Sequence, residues 1–580
     1  MGSKMEIVGR IKTVLIIAMS FISSSLIANS YIIDIKDRNN MSTEALDIYN
    51  NIVSNPAVIW STSTLIDIES LKSADTLYFV LDNENVLLFS NYKKLDNGYY
   101  YSRYVSADNQ TNAYLSILEN NLRGDISTAN GRYQLLSISD NEVAIIKYIP
   151  SISEEPAYED PPFNELVLED PSNIESIVPN STPVIRVLFL YTSSVLSMAE
   201  YPNSVSLRNE IYAYITEGNE SFANSRVNAH LELAYLGQTN YIESSFSWSK
   251  ILKHFYTQND GYVDEVHTFR NKYKADICVL MVNDSTYCGE AKAIKADANT
   301  AFCIIWPKHI KCGWKYSPIH EFGHLIGCRH NRSADNSNSP YKYGHGYMYC
   351  NETTSSASWC TIMSYESTCS ANSKRILYWS NPDTTYNGIA TGTTTYENNA
   401  RVWNERAGTV SAFRTKDNSI ALTSSDNNSS ALFESYEASA SITTSSGYQV
   451  QAGQTVDMAA GNIIRLTSGT HIKGGSKFRA SIRNNADNST YPQFVIRKDN
   501  NYNRLQRQTN FSIKPNPVID ILTITSNDEI KDVCIYNLSG QCVLHTTQTS
   551  IDVSSLNQSM YIVQAVTVGG KILQDKFIKQ

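Results

Sequence analysis

Apolar and polar residues alternate in several stretches of residues 31–150, among them Leu77-Tyr78-Phe79-Val80-Leu81, Ala113-Tyr114-Leu115-Ser116-Ile117-Leu118 and Val143-Ala144-Ile145-Ile146. Side chains leave a strand on alternate faces, so this pattern predicts a β-rich domain. Between 183 and 415 the patterning is mixed. Val184 to Tyr191, Leu231 to Leu236, Ile277 to Val282 and Ala301 to Trp306 read as strands, and Ser204 to Ala223 has helical spacing. That mixture predicts an α/β or α+β layer arrangement. Beyond about 416 the chain is rich in Ser, Thr, Asn and Gly with short strand runs, which predicts two all-β modules at 420–500 and 508–580. The expected architecture is therefore multidomain.

Two segments fit none of these patterns. Residues 1–30 place Lys4, Arg10 and Lys12 before a mostly apolar run from Thr13 to Ile27, then Ala28-Asn29-Ser30. That order of charge, short apolar stretch and small residues predicts a secretory signal peptide, removed on export. No later segment is long and apolar enough to span a bilayer, so no stable membrane span is expected afterwards. Residues 151–182 hold five Pro and eight acidic residues with no Lys or Arg. Such a segment repels itself and resists packing, so it reads as an exposed linker open to proteolysis.

With 580 residues the chain is long enough for several domains. Its formal net charge of −9 argues against a nucleic-acid partner, which would call for a basic face. The ten cysteines are unevenly spread. Cys278, Cys288, Cys303, Cys312, Cys328, Cys350, Cys360 and Cys369 share one window, and Cys534 and Cys542 lie near the C-terminus. In an exported chain this clustering suggests disulfides around one functional region, with buried free thiols as the alternative.

The chemistry concentrates in His320-Glu321-Phe322-Gly323-His324-Leu325-Ile326-Gly327-Cys328-Arg329-His330. Ser317 can cap a helix with Pro318 at its first position. On that helix His320 and His324, four apart, share one face and can grip one ion. Gly327 can take the left-handed conformation that ends a helix, and the returning chain brings in His330. Three imidazoles leave a fourth corner of a tetrahedral Zn2+ open for water, the catalytic pattern for that metal. Glu321 is badly placed to coordinate and well placed to accept a proton from the water.

Combined with Thr361-Ile362-Met363-Ser364-Tyr365, this extended helix resembles the metzincin clan of zinc metalloendopeptidases. Tyr287-Cys288-Gly289, Tyr343-Gly344-His345-Gly346-Tyr347, Arg375 to Pro382 and Asn398 to Val402 resemble bacterial reprolysin-like and peptidyl-Asp metallopeptidases. The resemblance covers about residues 183–415. It implies a zinc site of His320, His324 and His330, Glu321 as the catalytic group and Met363 as the apolar base beneath the metal. Tyr365 would be a possible transition-state stabiliser and His345 a structural residue. It also makes Ala301 to Trp306 a candidate edge strand for an extended peptide substrate. Residues 31–150 resemble the propeptides of such enzymes, through Leu122-Arg123-Gly124-Asp125-Ile126-Ser127 and Gly131-Arg132-Tyr133. The first cysteine is Cys278, so latency cannot rest on a propeptide thiolate, and Asp125 is a carboxylate worth testing. The module at 420–500 is similar to a β-repeat spacer of secreted proteins.

Residues 508–580 resemble a type IX secretion sorting domain, carried by Ile513-Lys514-Pro515-Asn516-Pro517-Val518, Ile535 to Gly540, Leu556 to Tyr561 and Lys576-Phe577-Ile578. The implied partners are the secretion machinery and protein or peptide substrates. The implied destination, reached through periplasm and outer membrane, is the cell surface or the medium. The expected function is a secreted zinc endopeptidase made as a proenzyme. The alternatives are a surface adhesin stiffened by a structural zinc, and a zinc hydrolase of non-peptide amides.

Overall fold

The computed structural model describes residues 30–33, 41–148, 182–483 and 512–579, with short breaks at 83, 97, 108–110, 244–245, 308–315, 352–356, 366–368, 370–373, 516–517, 527–528, 537–541 and 569–571. The expected signal peptide and acidic linker therefore lie outside the described residues. Two compact units divide at Ile496 and Arg497.

The first unit opens with a nine-stranded sheet. In chain order it comprises β1 (Ser30–Ile33), helix α1 (Thr43–Val53), β2 (Val58–Leu65), α2 (Ile68–Ser73), β3 (Thr76–Leu81), β4 (Glu84–Asp96), β5 (Tyr99–Val105), β6 (Asn112–Leu118), β7 (Asn121–Ser127), β8 (Arg132–Ser137) and β9 (Glu142–Tyr148). Strands β3 to β9 follow one another as an antiparallel meander, with β1 parallel to β3 at one edge and β2 on β9 at the other. Short polar turns between neighbours in sequence make this the natural pairing. One face buries Leu77, Phe79, Leu115, Leu122, Ile126 and their neighbours as a core.

A second sheet is built from β10 (Val184–Tyr191), α3 (Ser204–Asn224), β11 (His230–Gln238), α4 (Trp248–Tyr256), α5 (Glu265–Lys272), β12 (Ile277–Met281), β13 (Gly289–Ala291), β14 (Phe302–Ile305), and α6 (Ser317–Ile326). The strand order is β13-β14-β12-β10-β11, with all but β13 parallel to their neighbours. These strands are almost wholly buried, as parallel strands covered on both faces must be. The expected edge strand at 301–306 is thus corrected. β14 lies inside the sheet, and Gly289-Glu290-Ala291 folds back antiparallel to form the edge. Three residues after a cysteine are too short a run to betray a strand by alternation.

Small ladders follow: β15 (Met348–Tyr349), β16 (Trp359–Cys360), β17 (Lys374–Arg375), β18 (Thr385–Tyr386) and β19 (Ile389–Ala390), then helix α7 (Asn399–Val410). The chain continues through β20 (Asp417–Leu422), β21 (Ala431–Thr444), β22 (Gln449–Val450), β23 (Thr455–Ala460), β24 (Ile463–Arg465), β25 (His471–Ile472) and β26 (Lys477–Ile482). These strands stack in parallel, each coil offset by 22 residues, as in Phe433 beside Thr455 and Thr455 beside Lys477. They extend the second sheet, because β21 pairs antiparallel with β11. Arg186 of β10 bridges Glu232 of β11 and Glu437 of β21, both at 3.2 Å, and fastens this junction. Burial acts against the charged form of Glu232, but Arg186 and Arg483 overcome it and hold the carboxyl at about 2.

Helix α3 lies between the two sheets. Asn203 caps it, accepting from Ser206 N at 2.9 Å. Its polar residues Arg208, Asn209, Glu210, Glu217 and Glu220 are nearly all buried, because the N-terminal sheet covers the face that would otherwise meet water. Arg123 of β7 pairs with Glu210, and Arg103 of β5 with Glu220 at 2.6 Å.

The second unit contains β27 (Ser512–Lys514), β28 (Ile521–Thr525), β29 (Ile530–Tyr536), β30 (Cys542–Thr546), β31 (Ser550–Asp552), β32 (Ser559–Thr567) and β33 (Ile572–Lys579). They form a three-stranded sheet β27-β28-β31 and a four-stranded sheet β30-β29-β32-β33, with a core of Ile513, Leu522, Val533, Ile535, Val563 and Phe577. Among the described residues, no helix is long and apolar enough to cross a membrane.

Candidate metal centre

Helix α6 begins at Ser317, with Tyr316 rather than Ser317 in the cap position and no side-chain cap bond. A proline in the first turn loses nothing there, since its missing N–H would have no helical partner. The helix ends at Gly327, whose φ of 121° lies where side chains are disfavoured. Gly327 N and Cys328 N both return to Gly323 O, at 3.1 and 2.8 Å, and turn the chain back towards the helix.

That bend brings His330 to the two helical histidines. The three Nε2 atoms lie 3.0 to 3.2 Å apart. His320 Nδ1 faces the Ile362 carbonyl at 2.8 Å and His324 Nδ1 faces the Cys328 carbonyl at 3.0 Å. A carbonyl can only accept, so each Nδ1 carries the proton and each Nε2 turns a lone pair inward. Converging lone pairs repel unless a cation sits among them. Nitrogens about 2.0–2.1 Å from a tetrahedral zinc would stand about 3.3 Å apart, so the donor set fits such an ion. Among the described residues this is the one group of three or more His, Cys, Asp or Glu with that proximity. All three imidazoles are buried.

The other singled-out residues surround this triad. Met363 is fully buried, and a Cβ built on Gly323 would fall 2.3 Å from its Sδ, so it packs directly against α6. The Tyr365 hydroxyl lies 3.1 Å from His330 Nδ1 and 3.2 Å from Nε2. His345 Nδ1 donates to the His330 carbonyl at 2.8 Å, and Nε2 faces the Ser337 carbonyl at 2.8 Å. Burial holds that imidazole below its ordinary pKa. His345 therefore fixes the loop that carries His330 without joining the triad.

Glu321 is fully buried on α6, beside the edge strand. A Cβ built on Gly289 of β13 would stand 2.3 Å from Glu321 Oε1 and 2.7 Å from its Cδ, so the bare backbone there makes room for the carboxylate. Burial first, and the Glu321 charge second, push the Cys303 thiol well up. Alternation could not reveal that residue 289 makes room for Glu321. Gly289→Ala is expected to leave the melting temperature nearly unchanged, since a carboxylate end can swing aside. It should lower kcat about tenfold to a hundredfold, because a group displaced by about 1 Å loses its alignment. Parallel thermal melts and peptide hydrolysis check this.

Asn331, next to the third histidine, was also missed. Its Oδ1 accepts from Tyr365 N at 3.0 Å and ties the two loops together. The cysteines divide. Cys350 and Cys369 form a disulfide; Cys288 is disulfide-bonded as well, and so, within the second unit, is Cys534. Cys278, Cys303, Cys328 and Cys360 are free and buried, packed as small apolar side chains. The expected disulfide cluster is thus only partly one.

A helix carrying two inward imidazoles, a glycine bend supplying a third and a methionine turn beneath them define a metallopeptidase-type centre. Residues 181–380 match the model of metallo-peptidase family M12. A "Peptidyl-Asp metalloendopeptidase" of Pseudomonas fragi is 34% identical over 198 residues, the whole of that sequence and 34% of this chain. Proteins of the same name are 39% identical over 236 residues in Stenotrophomonas maltophilia strain R551-3 and over 235 residues in Xanthomonas campestris pv. campestris, covering 40% of this chain and 54% and 52% of theirs. This chain belongs to metallo-peptidase family M12. It spans about half the length of those two longer relatives. Residues 512–580 match the secretion system C-terminal sorting domain, which marks the chain for export to the cell surface or the medium. Among solved structures, one described as "Structure of a chaperone-substrate complex" overlaps 59% of this chain and 42% of its own at TM-score 0.31 and 15% identity.

Proposed function

We propose that the chain is a secreted zinc endopeptidase, made as a latent proenzyme and directed to bonds beside aspartate. The observation that carries this reading is the convergence of three Nε2 atoms at 3.0 to 3.2 Å, two of them with their Nδ1 protons tied to carbonyls. His320, His324 and His330 would hold the zinc, which when bound would supply Lewis-acid chemistry. Glu321, buried next to His320 on the same helix, would be the group that accepts a proton during the reaction and hands it to the departing amine. Tyr365, whose hydroxyl lies beside His330, is the candidate donor to the oxygen that gains charge. The acidic preference follows the names of the relatives.

The N-terminal sheet, residues 30–148, is the propeptide in this reading, and the acidic segment 151–182 is where it is cut away. Residues 508–580 engage the secretion machinery. Metal removal tests the core of the proposal. Dialysis of the processed chain against a strong chelator is expected to reduce peptide hydrolysis to background, and one equivalent of Zn2+ to restore it. Hydrolysis that survives loss of the metal, measured by elemental analysis, would refute the assignment.

A further inference from the structure

Strand β7 shows how the N-terminal sheet grips its neighbour. Leu122 and Ile126 point into the sheet's own core, so Asn121, Arg123, Asp125 and Ser127 line the opposite face. Two of these meet α3: the Asn121 carbonyl accepts from Asn209 Nδ2 at 2.8 Å, and Arg123 pairs with Glu210. Asp125, the next in the row, is only 2% exposed. Together with Ser127 and Arg132 it walls a void of about 10 Å³, and Lys374 and Arg375 of β17 form the facing wall. One carboxylate is thus set among three cations.

One of the two cations on the far wall, Arg375, is tied to the turn that packs against the metal centre. Arg375 Nη2 donates to the Ser364 carbonyl at 2.6 Å. Ser364 sits between Met363 and Tyr365, in the same turn whose Ile362 carbonyl holds His320 and whose Tyr365 hydroxyl touches His330. A void of this size holds about one water, so the seated N-terminal sheet leaves the pocket full. Removal of that sheet takes away the Asp125 wall and leaves Lys374 and Arg375 uncovered on that side.

We propose that Lys374 and Arg375 form the subsite that reads an acidic substrate side chain, and that Asp125 stands in for that side chain in the unprocessed chain. The inference rests on the acid-directed endopeptidase reading above. A guanidinium beside an ammonium matches a carboxylate in charge and in hydrogen-bond geometry, whereas the amide of asparagine offers one acceptor and no charge. The inhibitory domain thus presents the group the enzyme seeks on a strand whose backbone bonds are already committed to β6 and β8.

The test compares twin peptides that differ only in Asp or Asn, cleaved by the processed chain. The wild type is expected to favour the Asp peptide in kcat/KM. Lys374→Gln and Arg375→Gln should each lower that preference about tenfold to a hundredfold with zinc content unchanged. Lys374→Gln leaves the bond from Arg375 to Ser364 intact, so it keeps the test open if Arg375→Gln misfolds. In chain cut within 149–181 but not separated, Asp125→Asn should release activity at about tenfold less dilution than wild type, and Asp125→Glu should not. A processed wild type that cleaves no peptide overturns the functional reading, and the subsite falls with it. Equal cleavage of the twins by wild type overturns the acid-directed part of that reading together with the subsite, whereas an unchanged preference in both metal-loaded variants overturns the subsite alone. An Asp125→Asn chain that matches wild type overturns the stand-in.

Discussion

Glu321→Gln is expected to lower kcat on peptide substrates roughly 10²–10⁴-fold while the chain still binds one metal ion. The substitution keeps the shape of the side chain and removes its ability to accept a proton. Glu321 is fully buried, and its carboxylate rests against Gly289, so the amide fits the same space. None of the three imidazoles changes, so metal affinity should hold. The loss corresponds to about 3–5.5 kcal/mol of transition-state stabilisation. KM should move little, since a proton acceptor contributes to the reaction rather than to binding. Casein clearing, peptide kinetics and metal content measured side by side decide the matter. Equal clearing by variant and wild type would remove Glu321 from the mechanism. Metal bound tightly in both with hydrolysis in neither would favour the adhesin.

The legible part of the centre was the part written in local spacing. His320, Glu321, His324, Gly327 and His330 lie within eleven consecutive residues. Helical periodicity and one glycine suffice to place the three imidazoles, and the fold brings them together as the spacing implies. Gly289 and Arg375 stand in segments that carry the family resemblance, but what they touch depends on distant chain and escaped. Gly289 matters because β13 pairs with β14 and lies against α6. Arg375 matters because its guanidinium reaches Ser364. The coil repeat of 22 residues is present in the text, where Gly447 and Gly469, then Gly453 and Gly475, recur at that interval. It is masked by Ser and Thr, which alternate as readily in loops. The burial of the polar faces of β7 and α3 does not show in the pattern, because period alone cannot tell water from another polar surface. In the fold those two faces meet.

That meeting carries the second large effect. Arg123 and Glu210 retain only 4% and 2% of their side-chain exposure, and the Arg123 guanidinium also donates to the Glu200 carbonyl at 2.7 Å. Removing one partner of so buried a pair leaves the other charge without water or counterion, at a cost of about 3–5 kcal/mol. Arg123→Ala should therefore weaken the hold of the N-terminal sheet, once the linker is cut, by about 10²–10³-fold or more. Glu210→Ala should do the same. With the sheet gone, Glu210 faces solvent, so its variant should melt like wild type in processed form, and only the complex should suffer. Replacing both residues by Met supplies apolar contacts of similar volume and should restore most of the affinity, since buried pairs exchange for hydrophobic ones at little loss. Dilution of cut, unseparated chain, followed by peptide hydrolysis and gel filtration, reads all four proteins. If the two single variants hold the sheet as tightly as wild type, the polar clasp is not what holds the sheet in place, and the apolar contacts between Tyr99 and Tyr212, with ring centroids 5.3 Å apart, become the next residues to cut back.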